Sequence, residues 1–139
     1  MKKLLLPLCI VFLATAACKK NKDDKNCDVT AASIAGTYKL SSMKYKLNSS
    51  TPEFDAPIQD CQGDDILVLN ANLTLAYQDA GTICSPDGSF TGNWSLTGNT
   101  IDVELYAGTV ESFNCSKLVI VATDVQTPGD KLTATLTRQ

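Results

Sequence analysis

The chain has 139 residues, 12 basic and 15 acidic, a formal net charge of −3 and no histidine. The missing imidazole excludes Ser-His-Asp and Cys-His machinery, which need it as proton acceptor. The acidic balance and the lack of a basic patch exclude the electrostatic footprint of a nucleic-acid binder.

In chain order the first element is a leader. Met1-Lys2-Lys3 is basic, and LLLPLCIVFLA (residues 4–14) is an uncharged, largely apolar run of 11 residues. That is shorter than the ~20 residues a membrane-spanning helix requires. A basic start, a short apolar core and small residues predict a secretory signal peptide over residues 1–17. The run ends in Thr15-Ala16-Ala17-Cys18, which resembles the lipobox of bacterial lipoproteins, with Thr15 where leucine is usual. The resemblance implies that Cys18 is acylated and becomes the mature N-terminus. The alternative is an ordinary signal peptide that ends near a cysteine.

Residues 19–26 are all Lys, Asn and Asp, so they have no apolar area to bury. Residues 18–32 therefore read as a lipidated N-terminus and flexible tether. Lys22-Asp23-Asp24 resembles the lysine-plus-acidic export signals of Bacteroidetes surface lipoproteins; a solvated linker is the plainer reading. The expected location is the bacterial outer membrane, at the cell surface or the periplasmic face, with the lipid as the membrane contact.

Residues 27–139 are enough for one hydrophobic core. Here six basic residues face thirteen acidic ones, a net charge of −7. Of the six cysteines, Cys9 leaves with the leader and Cys18 carries the acyl chains, which leaves Cys27, Cys61, Cys84 and Cys115. Four cysteines in an exported chain imply two disulfides, in one of three connectivities. Zinc is disfavoured, since there is neither a Cys-x-x-Cys pair nor a histidine.

Helical periodicity is absent, and period-two alternation recurs between turn residues. Strands are predicted over 36–47, 66–70, 73–79, 90–96, 101–105, 110–114, 117–123 and 132–136. Short links between antiparallel strands predict an all-β, eight-stranded up-and-down barrel over residues 33–139. The exception is the 16-residue connection 48–63, NSSTPEFDAPIQDCQG, long enough for a lid, with Phe54 and Ile58 as its packing residues. If Asn70 and Leu73 flank the first hairpin turn as partners, Cys61 falls opposite Thr82 and close to Cys84. The expected disulfides are then Cys61–Cys84 and Cys27–Cys115.

Two carboxylate groupings merit attention. Asp102 and Glu104 share a strand face, but the one opposite Ile101 and Val103, which should meet solvent. Asp60, Asp64 and Asp65 lack the spacing of a calcium loop. No cofactor, metal or enzymatic activity is expected.

Ile34-Ala35-Gly36-Thr37-Tyr38-Lys39-Leu40, then Cys61-Gln62-Gly63-Asp64-Asp65, Cys84 and Thr91-Gly92-Asn93-Trp94-Ser95-Leu96 carry a family resemblance. In order and spacing they resemble the lipocalin-like lipoproteins of Bacteroidetes over residues 33–138, with Tyr38 where tryptophan is common. The resemblance implies a barrel with a cup for a small apolar molecule. Tyr77, Phe90, Trp94, Val103, Leu105 and Leu136 are the candidate interior residues; the competing reading makes them plain core. Two functions follow. One is a monomeric binder or carrier of a small hydrophobic molecule. The other is a non-enzymatic interaction module with a filled barrel, contacting a partner protein or glycan.

Overall fold

In the computed structural model, residues 27–104 and 107–139 are described. Cys18, the leader and tether through residue 26, and Leu105 lie outside the described residues. Alternating apolar and polar side chains produce strands throughout: β1 (Gly36–Lys46), β2 (Phe54–Asp55), β3 (Ile66–Leu69), β4 (Thr74–Gln78), β5 (Phe90–Asn93), β6 (Ser95–Thr97), β7 (Thr100–Asp102), β8 (Ala107–Phe113), β9 (Lys117–Thr123) and β10 (Lys131–Arg138). They form one sheet in the order β5-β4-β3-β1-β10-β9-β8-β7-β6, with β2 on β1, and the paired strands are antiparallel.

The two ends of that order, β5 and β6, are consecutive in the chain and meet at Trp94. One bent strand therefore bridges both edges, and the sheet is a nearly closed barrel. The bend has a physical origin. Asn93 is the last residue paired with β4, opposite Thr74, and Ser95 is the first paired with β7, opposite Asp102. Trp94 stands between them, its N–H donating to the Leu73 carbonyl at 2.9 Å, so the strand changes partners from β4 to β7 within two residues. Counting it once and leaving β2 aside gives the eight staves expected; the structure adds β2 and divides the bent strand, for ten strands among the described residues.

The first hairpin differs from expectation by one position. Leu69 pairs with Leu75, not Thr74, because residues 71–73 form a three-residue loop with Leu73 at φ +67°. That loop puts a non-glycine residue in the left-handed region.

Ile34, Tyr38, Leu69, Leu75, Trp94, Ile101, Phe113 and Leu118 are among the residues that fill the interior. Burial of each large apolar side chain contributes about 1.5–3 kcal/mol. Beside the strands stands one four-residue α-helical turn, α1 (Ala31–Ile34), too short to leave a periodic signal. Thr30 caps it by accepting the Ser33 N–H at 3.2 Å. Residues 27–32, expected as the end of the tether, instead join the fold. The Cys27 N–H donates to the Phe113 carbonyl at 3.0 Å, and Cys27 is bonded to Cys115.

Arg138 seals this end. One of its terminal nitrogens donates to the carbonyls of Ser33 (2.5 Å), Ile34 (3.2 Å) and Ala35 (3.1 Å) and to the Tyr38 hydroxyl (2.7 Å). Its guanidinium also lies over the Tyr38 and Phe113 rings. Burial raises the Tyr38 hydroxyl pKa above its usual value, opposed by the Arg138 hydrogen bond and charge. The connections β1–β3, β4–β5 and β9–β10 gather at the opposite, open end.

Candidate functional site

The open end is built around aspartates whose partners are backbone amides. Asp65 precedes β3 and is 5% exposed. It accepts the Ala80 N–H at 3.1 Å and the Tyr77 hydroxyl. Asp64 accepts the Thr82 N–H at 2.9 Å. Buried Asp79 accepts the N–H groups of Cys84 (3.0 Å) and Gly88 (3.0 Å). Together with the Cys61–Cys84 disulfide, whose Cα atoms are 5.2 Å apart, these bonds fasten the β4–β5 loop to the start of β3.

Asp130 does the same for the β9–β10 turn. Its carboxylate accepts the N–H groups of Val125 (2.6 Å), Gln126 (2.8 Å) and Thr127 (2.9 Å) and the hydroxyl of Tyr45 on β1. Burial alone would raise its pKa, but these bonds prevail, the Tyr45 bond foremost, and hold it at about 2. Tyr45 is raised in turn, first by that hydrogen bond and then by burial.

Between these clamps lies a pocket of about 90 Å³, lined by Leu40, Met43, Leu67 and Leu136 on its apolar side and by Gln62, Asp65 and Tyr77 on its polar side. Drug-sized ligand cavities run to roughly 300–1,000 Å³, so this one admits a small molecule or one end of a larger one. Beside it, Ala76, Gln78, Ser89, Phe90 and Thr91 line a broad open depression of about 350 Å³, and Tyr77 is common to both. Chemically, the pocket offers a carboxylate, an amide and a phenol beside an aliphatic wall. It can bind and orient a polar group with an apolar appendage.

The structure places the sequence candidates in separate groups. Tyr77 and Leu136 line the pocket. Phe90 pairs with Tyr77, and the two rings stack at 5.5 Å. Trp94 and Val103 are buried in the filled interior, where the Trp94 indole N–H donates to the Asn70 carbonyl at 2.9 Å. Leu105 lies outside the described residues. Of the lid candidates, Ile58 is half-buried, while Phe54 sits opposite Tyr45 with the rings edge to face at 5.8 Å. Neither lines the pocket; Gln62 is what the long connection contributes.

Leu40, Met43, Gln62, Asp65 and Leu67 were not among the sequence candidates. Leu40 and Leu67 could have been found by extending the inward alternation of Tyr38 and Leu69. The Asp102–Glu104 pair is separated by a turn: the Glu104 N–H donates to Asp102 at 2.9 Å, with Glu104 at φ +62°.

A small antiparallel barrel, sealed at one end by a helical turn and an arginine and cupped at the other, defines an up-and-down barrel of the single-domain cup type. The chain belongs to the lipocalin-like domain family, whose model matches residues 34–121. No curated protein and no solved structure matches the chain.

Proposed function

We propose that this chain is a membrane-anchored, monomeric lipocalin-like lipoprotein of the bacterial envelope. It binds or carries a small hydrophobic molecule and performs no catalysis. The observation that carries the reading is the pocket at the open end, apolar on one wall and polar on the other, in a barrel otherwise filled by side chains. The anchor is Cys18, acylated after removal of residues 1–17, and the outer membrane is the site of action. The fold supports a consistent orientation. Cys27, where the tether would join, is bonded at the sealed end, so the anchor would leave the cup facing away from the membrane.

Native mass spectrometry of the full chain extracted from its own envelope tests the binding. The expected result is a co-purifying small molecule, and titration with apolar compounds should move the Met43 methyl signal in NMR. Bare protein together with an unresponsive Met43 signal would remove the carrier reading.

One observation favours the interaction module instead. Leu47, Phe54, Ile83 and Val125 are each 46–56% exposed, and all four lie in or beside the open-end connections. Under this reading, a photo-crosslinker replacing Phe54 yields one defined protein adduct on intact envelopes, whereas under the carrier reading it yields none.

A further inference from the structure

We propose that the open-end pocket takes the protonated head of a small alkylamine, with Asp65 as its counter-charge. This deepens the small-molecule reading and rests on it. Asp65 is a buried acid that lines the open-end pocket. A carboxylate offers about four acceptor sites, and among the described residues the Ala80 amide and the Tyr77 hydroxyl are the donors bonded to this one.

Among the described residues, no cation pairs with Asp65. The ion pairs among the described residues are Lys44–Glu53 at 3.7 Å and Lys131–Glu111 at 3.6 Å. Arg138 is committed to α1 at the sealed end. A buried carboxylate held only by neutral donors has no counter-charge, and an ammonium entering the pocket would supply one through a charge-assisted hydrogen bond. A carboxylate head would meet Asp65 as a like charge, and a neutral alcohol would bring it no counter-charge.

The remaining walls fit the same ligand. Leu40, Met43, Leu67 and Leu136 accept methylenes, and the Met43 thioether adapts to irregular apolar shapes. The volume of about 90 Å³ equals that of roughly three liquid waters, enough for a short head and not for a long chain. At long range, the net charge of −7 on residues 27–139 raises the local concentration of cations.

Calorimetric titration of the full chain with n-butylammonium, 1-butanol and butyrate, at one pH and ionic strength, tests this. The expected order is butylammonium first, by about tenfold or more over the other two. Asp65→Asn should bring butylammonium to within about twofold of butanol while leaving butanol itself little changed. Butanol or butyrate binding as tightly as butylammonium overturns the amine assignment and leaves the binding barrel standing. Failure of all three to bind, with no co-purifying molecule, overturns both. The wild-type series decides even if Asp65→Asn fails to fold; there Met43→Phe, which fills the pocket, should weaken all three ligands together.

Discussion

At the scale of single residues, the open end is held by side chains that a composition count would place in solvent. Asp130 ties three consecutive amides and the Tyr45 hydroxyl to one buried carboxylate. Its pKa in the fold is about 2, against an ordinary 3.8. A carboxyl whose pKa falls on folding stabilises the protein above its unfolded value, and that contribution disappears as pH drops through the folded one. Asp130→Asn should therefore lower the Tm near pH 6, and the difference from wild type should shrink between about pH 4 and pH 2. Melting curves across that range check it; a difference independent of pH would contradict the assignment. Arg138 is the counterpart at the sealed end. Arg138→Met keeps most of the stem but removes the guanidinium donor from the Ser33 and Ala35 carbonyls and the Tyr38 hydroxyl, leaving the Ile34 carbonyl with the Tyr38 hydroxyl alone. The loss should be about 2–3 kcal/mol in urea denaturation, typical of hydrogen bonds to a charged group.

At the scale of elements, the two disulfides divide their work. Cys27–Cys115 spans 88 positions and Cys61–Cys84 spans 23. By loop-closure entropy the longer span contributes about 4–5 kcal/mol and the shorter about 3. Cys27→Ser/Cys115→Ser should thus cost more stability while leaving the pocket intact. Cys61→Ser/Cys84→Ser should cost less and loosen the pocket, because Gln62 follows Cys61 directly. Denaturant midpoints read the first difference, and ligand titration reads the second.

The strands were legible in the sequence because burial of one face imposes period two, as along Phe90 to Leu96, while Lys117 to Thr123 showed as a continuous apolar run. The pairing of the four cysteines was also legible, since a one-position change in hairpin register still leaves Cys61 near Cys84. That change itself was not, because Leu73 at φ +67° carries none of the glycine or asparagine signals of a left-handed turn. Nor was α1, whose four residues complete a single turn. The pocket was only half legible. Tyr77 and Leu136 follow from alternation, but Asp65 is buried by partners twelve and fifteen positions away, which no local pattern announces.

At the scale of the whole molecule, the two ends of the barrel differ in construction, and the proposed tether would link that difference to location. Cys27, the first described residue, is bonded to Cys115 and Phe113 at the end opposite the pocket. Cys18 lies nine positions earlier, beyond a segment of only Lys, Asn and Asp. A lipid placed there would set where the barrel resides without contributing to its packing. Location and stability should therefore separate cleanly in a Cys18→Ser chain. Growth with an alkyne-tagged fatty acid should label the wild type and leave Cys18→Ser unlabelled, and the variant should move from the membrane to the soluble fraction. Its Tm should match the wild type within about a degree, because surface changes remote from packed features are usually close to neutral. Retention of the variant in the membrane would mean that another part of the molecule holds it there, and the exposed apolar side chains around the open end would become the first place to look.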